Sequence, residues 1–176
     1  PLAEARLSTF LAVDGDNNAV DADAPEAFLS GRVDDAASRY NLRNLVNADG
    51  DVVPEELVVL KRLCENAGQS PALADGMAQA MRQATLAIMA LQSDDTQFMS
   101  KLGGEEGLRK APIMPQSADQ LLWLGLDAGT LERLRPYLTI LPDPSQVNIN
   151  TAPKEVIAAV IDGVDLARAA RIVQTR

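Results

Sequence analysis

The chain has 176 residues, enough for one domain or two small ones with a real core. Hydrophobic residues make up 47% and exclude a disordered chain, while aromatics at 3% leave the core to Leu, Val, Ile, Ala and Met. With 16 Lys and Arg against 25 Asp and Glu, the formal charge is −9, which opposes binding to nucleic acid or to an anionic membrane surface.

In chain order, a short apolar stretch from Leu7 to Val13 precedes an acidic loop of Asp14, Gly15, Asp16, Asn17 and Asn18. Two short strands are expected between Phe28 and Val46, turning between Asp34 and Ser38, because Tyr40 and Leu42 alternate with Arg39, Asn41 and Arg43. After Asn47–Asp51 the period changes. Pro54 suits a helix first turn, Glu55 and Glu56 complement its dipole, Leu57, Leu60, Cys64 and Ala67 share one face, and Gly68 ends it. A longer helix is expected from Pro71 to Leu91, with Leu73, Met77, Met81, Ala84, Ile88 and Leu91 spaced by three or four.

Residues 93–116, with their acidic pairs, glycines and prolines, read as a loop. Ser117 and Gln120 have the spacing of a capping box, opening a short helix through Leu121, Leu122 and Leu124. A turn at Gly125-Leu126-Asp127 leads to a helix through Leu131, Leu134 and Leu138. Val147-Asn148-Ile149-Asn150 alternates as a short strand, and Thr151 is placed to cap a helix carrying Val156, Ile157, Val160 and Ile161. Asp162 to Asp165 turns into a last helix ending near Arg176.

Leu121–Leu138 and Glu155–Arg176 each have the form helix, turn with glycine and aspartate, helix. That form resembles a helix-hairpin-helix, whose turn can present N–H groups to phosphate, so a nucleic-acid-binding module is the alternative reading. The acidic balance, with Asp127, Asp162 and Asp165 at the turns, favours a plain packing unit instead. Acidic groups at Asp94, Asp95, Glu105 and Glu106, at Asp49, Asp51 and Glu55, and at Asp14, Asp16 and Asn18 offer oxygens suited to calcium. None has the full EF-hand spacing, and a solvated loop is the alternative for each. There is no histidine, no nucleophile elbow and no phosphate-cradling glycine loop, so no enzymatic activity is expected. The lone Cys64, among apolar helix positions, reads as a buried, inert thiol. No apolar run reaches the ~18–20 residues of a membrane span, no signal peptide opens the chain, and Pro1–Arg6 resembles the middle of a domain, so part of a longer protein is expected.

Four strings, in order, carry a family resemblance. Arg39 to Leu45 resembles "RFNLNNL"; Ala111-Pro112, Gln116-Ser117 and Leu121–Leu126 resemble "AP…QS…EL…GV"; Leu134, Pro136-Tyr137 and Leu141-Pro142 resemble "L-P-Y…LP"; Val147–Ala152 resembles "INVNTA". They are similar to the minor pseudopilin K of type II secretion systems, the general secretion pathway protein K family. The resemblance implies a periplasmic domain borne on an N-terminal hydrophobic helix that anchors it in the inner membrane. Neither that helix nor the closing strands expected after Arg176 stand in this sequence. It also implies a non-enzymatic subunit that caps the pseudopilus tip and starts assembly with minor pseudopilins I and J. Calcium in an acidic loop of the helical domain is implied as well, at Asp94, Asp95, Glu105 and Glu106, with Gly107-Leu108 where tyrosines usually stand.

The expected architecture is α+β: a partial pilin-like sheet with a large inserted helical domain, sterile-alpha-motif-like and containing helix-hairpin-helix elements. Residues 1–46 would form the pilin-like β portion, 47–145 the helical insert, and 146–176 a strand plus a helix-hairpin-helix-like return segment.

Overall fold

A computed structural model describes residues 33–93 and 95–176, together with the strand backbones of Ala3–Arg6 and Phe28–Gly31. The chain divides into two compact units, Pro1–Asp35 and Ala36–Arg176. The first contains an antiparallel pair, β1 (Ala3–Arg6) and β2 (Phe28–Gly31), in which Ala3 faces Gly31 and Arg6 faces Phe28. The apolar stretch Leu7–Val13 and the acidic loop Asp14–Asn18 lie outside the described residues.

The second unit is mainly helical. Its strands are β3 (Tyr40–Asn41) and β4 (Leu138–Thr139), paired in parallel with Tyr40 opposite Leu138 and Asn41 opposite Thr139. The hairpin expected between Phe28 and Val46 therefore does not form: β2 pairs with β1, and β3 pairs with a strand nearly a hundred residues away. Alternation also fails locally, because Tyr40, Asn41 and Leu42 are all buried and Leu42–Leu45 turns as a 3-10 helix. Asn41 is the cause, since its carboxamide finds enough polar partners to leave water.

Helix α1 (Pro54–Asn66) starts and stops as its residues dictate. Pro54 occupies the first turn, where its missing N–H costs nothing, and Gly68 closes the helix with φ 70°. Leu60, Leu63 and Cys64 are fully buried, with Leu57 and Ala67 half-buried against the core. Helix α2 (Ala72–Gln92) buries Ala74, Met77, Ala78, Met81, Ala84 and Leu86, so small alanines let neighbouring elements approach while Met fills the gaps. Leu91, expected on the apolar face, is 73% exposed in the last turn.

Residues 93–116 are not a continuous loop. They contain α3 (Thr96–Leu102) and α4 (Gly104–Lys110), separated by Gly103 at φ 91°. The features that suggested a loop act as helix signals: Asp95 caps α3, Glu105 and Glu106 lie in the first turn of α4, and Arg109 and Lys110 in its last. The corner is tight, because a Cβ on Gly107 would come 1.8 Å from the Leu102 carbonyl oxygen.

Ala118–Leu124 is a 3-10 helix, and the capping box does not form. Ser117 makes no side-chain cap, and the Gln120 side chain instead accepts from the Gln116 N–H at 2.6 Å. After Gly125 (φ 90°), α5 (Ala128–Leu134) is capped by Asp127. It stops before Leu138 because Pro136 has no N–H with which to continue the ladder. Val147–Asn150 is not a strand either. Asn148 donates one backbone bond to the Ala37 carbonyl at 2.8 Å, then Asn148 and Thr151 close a turn. Helix α6 (Lys154–Val160) follows Pro153 rather than a Thr151 cap, and α7 (Leu166–Thr175) closes the chain. Val156, Ile157, Ala158 and Ala159 make α6 the most deeply buried short helix, packed against α1 and α7.

Candidate functional site

Among the described residues, the most heavily bonded polar feature is a seam between residues 37–45 and 137–148. The Asn41 side chain donates to the Asp143 carbonyl (2.8 Å) and to Ser145 Oγ (3.1 Å), and accepts from the Arg43 and Leu141 N–H groups (3.1 and 3.2 Å). Asn44 donates to the Ser145 carbonyl and accepts from the Ser145 N–H, both at 3.0 Å. Tyr40 adds a backbone bond to the Tyr137 carbonyl at 2.8 Å, while its hydroxyl donates to Glu56 Oε2 at 2.8 Å. A carboxamide is the right group here because it carries donors and acceptors on one short stem.

The Tyr40 and Tyr137 phenols of this seam, and the Cys64 thiol on α1, are shifted toward their protonated forms. Burial first, then the neighbouring Glu56 carboxylate, push the Tyr40 phenol far above its usual range, so it stays a hydrogen-bond donor. Burial pushes the Cys64 thiol up to about 11, assisted by Glu65, which leaves almost no thiolate at neutral pH. The Tyr137 phenol is raised as well, by desolvation and then by Glu155.

The acidic residues expected to hold calcium are distributed over the α3–α4 pair. Asp95 Oδ1 accepts from the Gln97 N–H at 2.9 Å, Glu105 and Glu106 stand at the start of α4, and Glu106 pairs with Lys110 at 2.6 Å. Asp94 lies outside the described residues. Among the described residues, no three Cys, Asp or Glu side chains gather as a metal site would require. In the second acidic group, Asp51 is engaged by an ammonium: Lys101 Nζ donates to Asp51 Oδ2 at 2.8 Å and to the Asp49 carbonyl at 2.7 Å.

The two glycine turns are built alike. Gly125 and Gly163 have φ 90° and 71°, and each precedes by two residues an aspartate that caps the next helix. Asp127 Oδ1 accepts from the Thr130 N–H at 3.0 Å, and Asp165 Oδ1 from the Arg168 N–H at 2.7 Å. These carboxylates occupy N–H groups that a phosphate would otherwise take.

One surface feature escaped the sequence pattern. In a 3-10 helix every third residue shares a side, so Leu121 and Leu124 turn inward together. Leu122 and Trp123 are left 46% and 52% exposed. The run Leu121-Leu122-Trp123-Leu124 held the signal, since four successive apolar residues in so short a helix cannot all face the core. Leu91 and Ile113 are further exposed apolar side chains.

Residues 38–143 match one family model described as type II secretion system (T2SS), protein K, and residues 147–176 match a second with the same description. The chain belongs to the type II secretion system protein K family. A relative named type II secretion system protein K from Klebsiella pneumoniae is 31% identical over 163 residues, covering 82% of this chain and 47% of that protein. Another of that name from Pseudomonas aeruginosa is 26% identical over 149 residues, covering 82% of this chain and 43% of its own length. The chain thus spans less than half the length of these protein K relatives. The two matched blocks are joined where α1 packs on α6, with Asn66 donating to the Glu155 carbonyl at 3.0 Å and Arg62 paired with Asp162 at 2.7 Å, while Asn44 bonds Ser145 in the short stretch between the blocks. As the family likeness implied, the architecture is α+β, mostly helical with small two-stranded sheets. No helix among the described residues is long and apolar enough to cross a membrane.

Proposed function

We propose that this protein is a structural, non-catalytic subunit of a type II secretion system, acting as the minor pseudopilin that caps the pseudopilus tip and helps start its assembly. The observation that carries the reading is the consecutive match of two protein K family blocks across residues 38–143 and 147–176. The partners are minor pseudopilins I and J, and the domain works in the periplasm on an inner-membrane anchor. Physical support comes from exposed Leu122 and Trp123, since half-buried tryptophan is typical of residues that anchor protein interfaces.

The test is size-exclusion chromatography with light scattering on mixed soluble domains of the three proteins. One species at the summed mass is expected, held by an interface on the order of 1,200 Å² or more. Separate peaks at about tens of micromolar protein, well above the nanomolar dissociation constants common for interfaces of that size, would remove the tip role.

Calcium held by Asp94, Asp95, Glu105 and Glu106 belongs to the same reading and rests on the family likeness. Its test is a thermal melt with calcium against chelator, repeated on Asp95→Ala and Glu105→Ala. A midpoint indifferent to calcium removes the ion from the proposal. The helix-hairpin-helix-like turns keep DNA binding as the competing reading, opposed by the capping carboxylates of Asp127 and Asp165. Salt-dependent, micromolar affinity for duplex DNA would favour that reading instead.

A further inference from the structure

The α3–α4 pair differs from the other α-helices of the second unit, each of which buries at least one residue. Neither helix contributes a fully buried residue, although α2, along which α3 packs, contributes six. The pair is internally firm. Gly107 stands so close to the Leu102 carbonyl that even a methyl group would collide, so α3 and α4 fit as one body. Its two ends are extended backbone, at Ser93 (φ −118°, ψ 142°) and Ala111 (φ −63°, ψ 135°). A rigid body with no buried anchor, joined through two extended segments, can leave the core without breaking it.

One polar tie holds it down. Among the described residues, the hydrogen bonds from residues 96–110 to the body of the unit are those of Lys101 Nζ, to the Asp49 carbonyl (2.7 Å) and Asp51 Oδ2 (2.8 Å). The receiving loop is braced to accept them. Asn47 Oδ1 takes the N–H groups of Asp49 and Asp51 at 3.0 and 2.9 Å, and Gly50 (φ 77°) nestles against Leu86 where a Cβ would come within 2.3 Å. Arg82 on α2 approaches the other Asp51 oxygen at 3.7 Å, which fixes the carboxylate between two cations.

We propose that residues 96–110 form a hinged flap, latched to the body of the domain by the Lys101 ammonium in the Asn47–Asp51 loop and released when that contact is screened or neutralised. Such a latch answers to ionic strength because Asp51 and Lys101 are both partly solvated. The flap also carries Glu105 and Glu106, so its opening moves both carboxylates away from α2 as one unit.

Hydrogen exchange read by mass spectrometry on the 176-residue chain tests this, comparing wild type with Lys101→Met, Lys101→Arg and Asp51→Asn at low salt and at about 1 M NaCl. Exchange in 96–110 should quicken about fivefold in wild type at high salt, and by a similar factor in Lys101→Met and Asp51→Asn at low salt. Peptides from 54–92 should keep their wild-type rates, and Lys101→Arg should restore most of the protection. Unchanged exchange in 96–110 on loss of Lys101 would overturn the proposal. So would a rise shared equally by 54–92, which would mark general destabilisation. Should Lys101→Met fail to fold, the wild-type salt response and Asp51→Asn decide the matter alone.

Discussion

Asn44 and Ser145 exchange two hydrogen bonds of 3.0 Å, the carboxamide of one pairing with the backbone N–H and carbonyl of the other. The side chain thereby acts as one more strand residue, extending the short β3–β4 ladder across a break in the backbone. Asn41, almost wholly buried, does the same for Leu141 and Asp143. Two asparagines in the Arg39–Leu45 string therefore hold together parts of the chain about a hundred residues apart.

Asn41→Ala should cost about 2–4 kcal/mol of stability, because it strands several buried donors and acceptors at once. Asn44→Ala, which leaves only the Ser145 groups unpaired, should cost about 1–2 kcal/mol. Urea unfolding followed by circular dichroism measures both, with Asn41→Asp predicted to be as damaging as alanine because a carboxylate cannot donate to Asp143 and Ser145.

Leu42→Asp should unfold the second unit or cost more than about 4 kcal/mol, since Leu42 is fully buried and the new charge has no partner. Ile149→Asp should change stability by no more than about 1 kcal/mol. The sequence alternation had placed both on a buried strand face, but Ile149 sits in a turn at 44% exposure. Parallel thermal melts of the two variants distinguish the turn from the strand.

These contrasts mark what could be read from the residues. Helices α1 and α2 were legible because long apolar periodicity, Pro54 and Gly68 all agree. The α3–α4 corner was not. Its acidic pairs and glycines read as loop residues, whereas they act as a cap and first-turn charges of two short helices, and Gly107 fits against Leu102 where the corner closes. The β3–β4 pairing was illegible for another reason: two-residue strands have no period, and their partner is chosen by asparagine side chains far away in sequence. Of the expected calcium residues, acidic composition marked the segment but not its helices. Family strings located the polar seam without revealing that its asparagines bond across it.

Cys64 should be unreactive in the folded protein. With its thiol raised to about 11 and its side chain fully buried, labelling by a thiol-specific disulfide reagent at pH 8 should run at least about 100-fold slower than in urea. A fast native reaction would mean that α1 opens readily or that Leu60 and Leu63 do not cover it.

Acid should weaken one tertiary attachment, at Asp51, and one helix cap, at Asp127, before it unfolds the core. Asp51 is held below the usual carboxylate range, first by its hydrogen bond from Lys101, and Asp127 is lowered first by the Thr130 hydroxyl, which donates at 2.6 Å. A carboxylate whose folded pKa is depressed adds stability above its unfolded value, near 3.9 for aspartate, and loses it as pH falls through the lower folded value. Stability should therefore be level from pH 7 to about pH 5 for these two groups and decline below about pH 4. Asp51→Asn and Asp127→Asn should each flatten that decline, because the amide does not titrate, while lowering the plateau at neutral pH. Urea midpoints measured across this range check the direction. A wild-type decline that persists unaltered in the double variant would assign acid sensitivity to other carboxylates.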